Sequence, residues 1–234
     1  MSVRYAELHA RSNFSFLDAG SHPEELVERA AEIGIEALAI ADADGLYGAV
    51  RFARHARERA LPAIVGARLH LPEGIPLVLL VAESCGYHRL CELISGAQLR
   101  GSKGSPELLL ADLEGENRGL IALCGDLRAP FETLRSLFPE SLYIELVRRL
   151  RKNDAPRNES LVATARTLRL PYVATNDVAY ARREDAEGAA ILRCIKHGVT
   201  LEEGIARNLF DSNTEAHLKN PRTMARLFAD YPTE

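Results

Sequence analysis

The stretch SHPEELVERAAEIGIEALAIADAD, residues 21–44, sets out the plan of the whole chain. Ser21 with Glu24 three residues on is a capping-box signal, and Pro23 suits a first helical turn. Leu26, Val27 and Ala30 give that helix an apolar stripe, and Gly34 is a natural C-terminal stop. Ala37–Ala41 is then short, apolar and closed by Asp42 and Asp44, which reads as a buried strand ending in charge.

Working outward, the same alternation recurs. Short runs rich in Ile, Val, Leu or Tyr stand at Tyr5–His9, Ala63–Leu71, Leu77–Ala82, Leu120–Cys124, Leu142–Val147 and Tyr172–Ala174. Amphipathic stretches lie between or after them at Val50–Arg59, Tyr87–Ile94, Pro130–Leu137, Asn158–Leu168 and Asp185–Lys196. About seven strands alternating with helices predict an α/β fold with a mainly parallel sheet, closed as a (β/α)7-type barrel with helices outside; an open doubly wound sheet fits the same pattern. Gly101–Pro106 (GSKGSP) reads as a loop and the first candidate for a mobile segment. The expected division is a barrel domain over residues 1–217. Residues 218–234, with a short helix at Thr223–Phe228 and then Asp230-Tyr231-Pro232, read as the start of a linker or next segment.

Composition narrows the function classes. The 234 residues are 47% hydrophobic and 26% charged, which suits one large globular domain. The formal net charge of -4 argues against a domain that grips nucleic acid by itself, so weak or no direct DNA binding is expected. The four cysteines include no C-x-x-C pair, and the start MSVRYAELHA lacks the basic and apolar regions of a signal peptide. A cytoplasmic protein with reduced thiols, and no membrane contact, is the expectation. P-loop, G-x-S-x-G and strand-linked G-x-G-x-x-G signatures are missing from the sequence.

In a parallel barrel, chemistry gathers at the C-terminal strand ends. Those ends carry His9 and Arg11, Asp42 and Asp44, Arg68 and His70, Cys124 and Asp126, Glu145 with Arg148 and Arg149, and Asn176 with Asp177. They make either a shared polar cup or the polar fringe that any strand end presents to water. Of the seven histidines only His9 and His70 fall on expected strands, which is thin support for a multi-metal site. Arg148, Arg149, Arg151 and Lys152 read first as a solvated edge and second as a phosphate or partner patch.

Several segments in order resemble a known family. Glu7–Leu17 followed by Ser21–Leu26, then Ala37–Leu46, Val65–Leu69, Ala174–Tyr180, and the tail segments His217–Lys219 and Met224–Phe228 are similar to the N-terminal PHP (polymerase and histidinol phosphatase) domain of bacterial C-family DNA polymerases, the polymerase III alpha-type subunits. Arg68 and the Asn13–Leu17 run are most like the error-prone subgroup. Active members of the family hold metals for phosphoester hydrolysis. Of their ligand pattern the resemblance leaves His9, Asp18, Asp42 and Asp177, with Arg11, Ala43, Arg68, Arg149 and Ala179 at replaced ligand positions. It implies no catalytic residue and no metal in this domain, with the arginines pairing with Asp18, Asp42 or Asp177.

The implied function is a non-catalytic structural and docking PHP domain of an error-prone DNA-directed DNA polymerase, a nucleotidyltransferase acting in DNA replication and repair after DNA damage. Its Mg2+ would sit in a palm outside this segment. Its partners would be the remainder of the polymerase chain and, through the full-length protein, the sliding clamp and accessory mutagenesis proteins. The alternative is a metal-dependent phosphoesterase, a proofreading nuclease or pyrophosphatase, whose reduced site would draw on His9, Asp42, His70, Asp126 and Asp177.

Overall fold

The structure is a computed structural model that describes residues 3–231. Seven strands form one sheet in sequence order: β1 (Ala6–Ala10), β2 (Ala37–Ala43), β3 (Ala63–Leu71), β4 (Ile75–Val81), β5 (Leu120–Cys124), β6 (Leu142–Val147) and β7 (Tyr172–Thr175). Neighbouring strands pair in parallel except at β4, which runs antiparallel to both β3 and β5. The short turn at residues 72–74 permits that reversal, with Glu73 and Gly74 both at positive φ.

The sheet curls until its two edges meet. Just past β7, Val178 N donates to His9 O at 2.8 Å and Arg11 N donates to Val178 O at 2.9 Å. Lower on the seam the buried Glu7 carboxylate accepts from His9 N at 3.0 Å and from Asn176 N at 3.1 Å. A side chain thus supplies acceptors where the ladder does not close, so the buried N–H groups are not orphaned. The result is the nearly closed α/β barrel, and the open-sheet alternative is excluded.

The period-2 pattern of the strands sorts the core. Leu8, Ala41, Ile64, Leu80, Leu123, Tyr143 and Val173, one from each strand, lie in or against a single small cluster, which is therefore the barrel interior. The opposite faces of β3–β7 pack under α3 (Ser84–Arg100), α4 (Phe131–Leu137) and α5 (Asp154–Leu168). On the other side Leu38 and Ile40 pack under α1 (Pro23–Glu32) and α2 (Ala49–Glu58). The inward faces of β3, β6 and β7 continue past this cluster to Arg68, Glu145 and Thr175, so polar groups occupy the barrel mouth.

Several local expectations shift. The α1 N-cap is His22, whose backbone N–H donates to Glu25 at 2.7 Å, one residue later than the Ser21–Glu24 reading. Ser21 Oγ instead accepts from Ala181 N at 2.8 Å, a long-range contact that local sequence does not announce. Helix α3 extends well beyond Tyr87–Ile94 because Ser84, Gly86, Ser95 and Gly96 dilute its apolar stripe. GSKGSP forms a tight turn closed by backbone hydrogen bonds between Ser102 and Ser105 at 2.9 and 3.2 Å. After α6 (Ala186–His197), a short α7 (Leu201–Ala206) starts at Thr200, whose hydroxyl accepts from Glu203 N at 3.2 Å. Residues 218–228 pack on the barrel: Met224 of α8 (Pro221–Leu227) and Phe228 join the large outer core, and Arg148 donates to Leu227 O at 2.5 Å. Pro232 lies outside the described residues.

Candidate functional site

At the mouth, β1 delivers His9 and Arg11, and the following turn delivers Asp18 three residues after the buried Ser15. Arg11 is almost fully buried and forks between two carboxylates. It donates to Asp18 and, through Nε at 3.1 Å and Nη2 at 3.0 Å, to Asp177 Oδ1. Arg68 Nη2 reaches Asp18 at 2.9 Å from β3, and Arg193 Nε reaches it at 3.3 Å from α6. Arg149, beyond β6, donates to Asp177 and also to Asp211 at 2.9 Å. With Arg151 Nε 3.3 Å from Asp211, five guanidiniums therefore share three carboxylates. Planar, delocalised cations with several fixed donors suit such sharing better than ammonium groups would.

The electrostatics follow from that sharing. Burial by itself would raise Asp18, but Arg11, Arg193 and Arg68 together hold its carboxyl well below the usual range. Burial and the neighbouring Arg11 pull Arg68 down to about 10, and burial with Arg151 pulls Arg149 down to about 9. Beside this cluster His9 Nδ1 meets Glu145 Oε1 at 2.8 Å, and Thr175 Oγ1 donates to the same oxygen at 2.6 Å. Burial pushes Glu145 up, yet His9 and Thr175 bring it to about 2; burial pushes His9 down. Glu145 is thus a carboxylate that accepts from His9 Nδ1, while His9 Nε2 lies 3.5 Å from Asp177 Oδ1.

Asp42 departs from the expected arginine pairing. Its carboxylate is taken by Ser12 N at 2.6 Å, Ser12 Oγ at 2.8 Å and Ser15 Oγ at 2.8 Å, and burial raises its pKa. Ser15 Oγ also accepts from Ala43 N at 3.0 Å, so Asp42 and Ala43 belong to a hydroxyl cradle behind the arginine cluster. A small residue is required at position 48, where a Cβ would come within 2.9 Å of Asp42 Oδ2. Ala179 is buried and acts through its backbone, donating to Ala216 O at 2.9 Å and accepting from Gly20 N at 2.9 Å.

Of the phosphoesterase set of His9, Asp42, His70, Asp126 and Asp177, the structure brings His9 and Asp177 together, with Nε2 and Oδ1 3.5 Å apart, while His70 and Asp126 are held elsewhere. His70 lies 3.4 Å from Asp44, and Asp126 is engaged by Arg128 at 2.6 Å. Among the described residues no group of three or more His, Cys, Asp or Glu side chains is placed to hold a metal. A divalent ion needs several free anionic or neutral donors, whereas here guanidinium N–H groups occupy the carboxylates. The donor set as arranged does not fit a metal.

Asp211, Arg193, Ser12 and Ser15 complete the site and were not singled out from sequence. The serines lay inside the quoted Glu7–Leu17 segment, but nothing in its pattern marks them. Asp211 sits in a loop and Arg193 on a helix face, where a charge ordinarily means solvent. The Arg148–Lys152 run divides. Arg148 holds the tail, Arg149 is buried in the site, Arg151 lies 3.3 Å from Asp211, and Lys152 is exposed.

A barrel of seven strands with β4 reversed and its polar residues at one mouth defines a class, and residues 7–159 match the PHP domain model. The chain belongs to the PHP domain family. It is 39% identical, over 98% of its length, to an error-prone DNA polymerase of Anaeromyxobacter sp. (strain K), of which it covers 21%. It is 36% identical, over 99% of its length, to an error-prone DNA polymerase of Pseudomonas syringae pv. tomato, of which it covers 23%. The chain thus spans about a fifth of the length of the curated relatives it matches. A candidate metal-dependent phosphoesterase from Bifidobacterium adolescentis shares the fold, with TM-score 0.58 and 15% identity over 75% of this chain and 88% of its own. Among the described residues no helix is long and apolar enough to cross a membrane.

Proposed function

We propose that this chain is a non-catalytic structural and docking PHP domain of an error-prone DNA-directed DNA polymerase working in damage-tolerant synthesis. The observation that carries the reading is the Arg11, Arg68, Arg149 and Arg193 cluster saturating Asp18, Asp177 and Asp211. On this reading His9, Asp18, Asp42 and Asp177 are remnants of a degenerate metal site, and Arg11, Ala43, Arg68, Arg149 and Ala179 stand at replaced ligand positions. A guanidinium fills a lost metal charge and repels any incoming cation. Catalysis and its Mg2+ belong to a palm elsewhere in the parent protein, a cytoplasmic nucleotidyltransferase with the sliding clamp and accessory mutagenesis proteins as its partners.

The docking part is supported by exposed apolar side chains on α6 and α7: Ile191, Ile195, Leu201 and Ile205. The occupant is the remainder of the polymerase chain, which in the relatives makes up about four fifths of the length.

The test is thermal unfolding with chelator, zinc or manganese, together with elemental analysis and phosphatase and exonuclease assays. The expected result is one melting temperature throughout and background activity, because only a ligand that binds the native state raises its stability. Stoichiometric metal with a chelator-sensitive transition would restore the rival phosphoesterase reading. That rival would draw on His9 Nε2, a buried atom without a hydrogen-bond partner that lies 3.5 Å from Asp177 Oδ1.

A further inference from the structure

Six of the seven joints around the barrel are strand ladders, and the seventh, between β7 and β1, is not. There the backbone of β1 and its exit residue Arg11 makes two hydrogen bonds to the chain just past β7, both at Val178. Side chains supply the rest. The Glu7 carboxylate accepts from His9 N and Asn176 N across the joint, and from Tyr5 OH at 2.7 Å. A ladder opens cooperatively along its whole length, whereas a joint held by a few separate bonds can open by itself.

Residues 211–219 lie across this weak joint. At one end Asp211 pairs with Arg149 at 2.9 Å, and Asn213 Nδ2 donates to Arg149 O at 2.8 Å, on the β6 side of the mouth. In the middle Ala216 O accepts from Ala179 N at 2.9 Å, along the extension of β7. At the far end Leu218 is buried with Ala10, Leu38 and Val178, in the core that β1 and β2 share with α1 and α2. Asn176 pins the segment in place. Its Nδ2 donates to Glu215 O at 2.9 Å and to His217 O at 2.7 Å, and its Oδ1 accepts from the buried Lys219 Nζ at 3.1 Å. Both donor hydrogens of that amide and its acceptor are therefore committed to this one segment, while the backbone N–H of the same residue holds Glu7.

We propose that residues 211–219 are a latch that holds the β7–β1 joint shut, and that its release opens the joint and the barrel mouth as one unit while the ladders from β2 to β6 stay closed. Arg11 is where the two meet: its N–H bonds Val178 O at the joint, and its guanidinium bonds Asp18 and Asp177 at the mouth. The latch also has a handle at each end. The α6–α7 pair precedes it in the chain, and α8 follows it, with Met224 and Phe228 packed on the large outer core rather than on the core that holds Leu218. A shift of either element reaches the mouth through the latch. The inference does not rest on the docking reading, since the latch and everything it holds lie within this chain.

The experiment is residue-resolved amide hydrogen exchange on the 234-residue chain under native conditions. The amides of Arg11, Val178 and Ala179 should exchange together and faster than those in the β2–β3 ladder. Two variants loosen the latch without entering the core. Arg183→Ala removes an exposed partner that reaches Glu215 at 2.5 Å, and Asn213→Ala removes the bond to Arg149 O. Each should speed exchange at Arg11 and Val178 by about tenfold, the worth of one hydrogen bond, and leave β2 and β3 unchanged. Three results would overturn the proposal: joint amides as slow as the β2–β3 ladder, variants that speed every amide alike, and variants that speed Ala179 but not Arg11 and Val178. The last would make residues 211–219 a surface segment with no hold on the joint.

Discussion

Arg68 Nη2 lies 2.9 Å from Asp18 Oδ2, joining the third strand to the turn after the first across fifty residues of sequence. Asp18 is shared by Arg11 and Arg193 as well, so it ties the end of β1, β3 and α6 together at the mouth.

That sharing makes the two sides of the contact unequal. Asp18→Asn leaves three guanidiniums short of a countercharge and should cost roughly 3–5 kcal/mol in chemical denaturation. Arg68→Met leaves Asp18 with two partners and should cost less, about 1–3 kcal/mol. Equal losses, or a loss below about 1 kcal/mol for Asp18→Asn, would show that the cluster does not act as one unit.

The His9–Glu145 pair sets an acid limit. Glu145 titrates at about 2 in the folded chain against about 4.3 unfolded. Its contribution, on the order of 3 kcal/mol, is fully present above about pH 4.3 and is lost as pH falls toward 2. His9, pushed down by burial, adds a loss of the same sign as pH falls through about 6.5. Melting curves of Glu145→Gln should therefore depend less on pH between 4.3 and 2 than those of the parent chain. Parallel curves would count against the pairing.

Lys219 gives the opposite test on the alkaline side. It is buried, donates to Asn176 Oδ1 at 3.1 Å and to Glu215 O, and burial lowers it to about 8 despite Glu215. The unfolded chain holds that proton up to about pH 10.4, so this group makes stability rise between about pH 8 and 10.4. Lys219→Met should remove that component, so the melting temperature of the parent should rise relative to that of the variant between about pH 8 and 10.4. A constant difference would refute it.

The tail offers a packing test. Phe228 is 7% exposed within the large outer core, so Phe228→Ala should cost about 3–5 kcal/mol. A loss near zero would mean that residues 218–228 do not belong to the folded unit.

On the α6–α7 face the expectation reverses. Ile195 and Ile205 are each 60% exposed, and Ile195→Glu or Ile205→Glu should change the stability of this chain by no more than about 0.5 kcal/mol. In the full-length parent the same changes should weaken attachment of this domain, read as faster proteolysis of the junction. Destabilisation of the chain by itself would mean that the face is already packed.

What the sequence determined by itself is periodic. Ala37–Ala41, Leu142–Val147 and the other short apolar runs specify strands, since a residue between polar stops can bury both faces only in a sheet. The helices between them leave few topologies, and His9, Arg11, Asp42, Arg68, Glu145 and Asp177 follow as strand-end residues whichever topology is adopted. The tertiary structure alone decided which of them touch. Sheet closure carries Asp177 to Arg11, 166 residues away, and turns Asp42 from the arginines to Ser12 and Ser15. It also draws Arg193 from a helix and Asp211 from a loop, where no period marks them. Periodicity records which face a residue takes, because burial is a property of the residue and its own backbone. Pairing depends on two distant segments meeting, and nothing in either segment encodes the other.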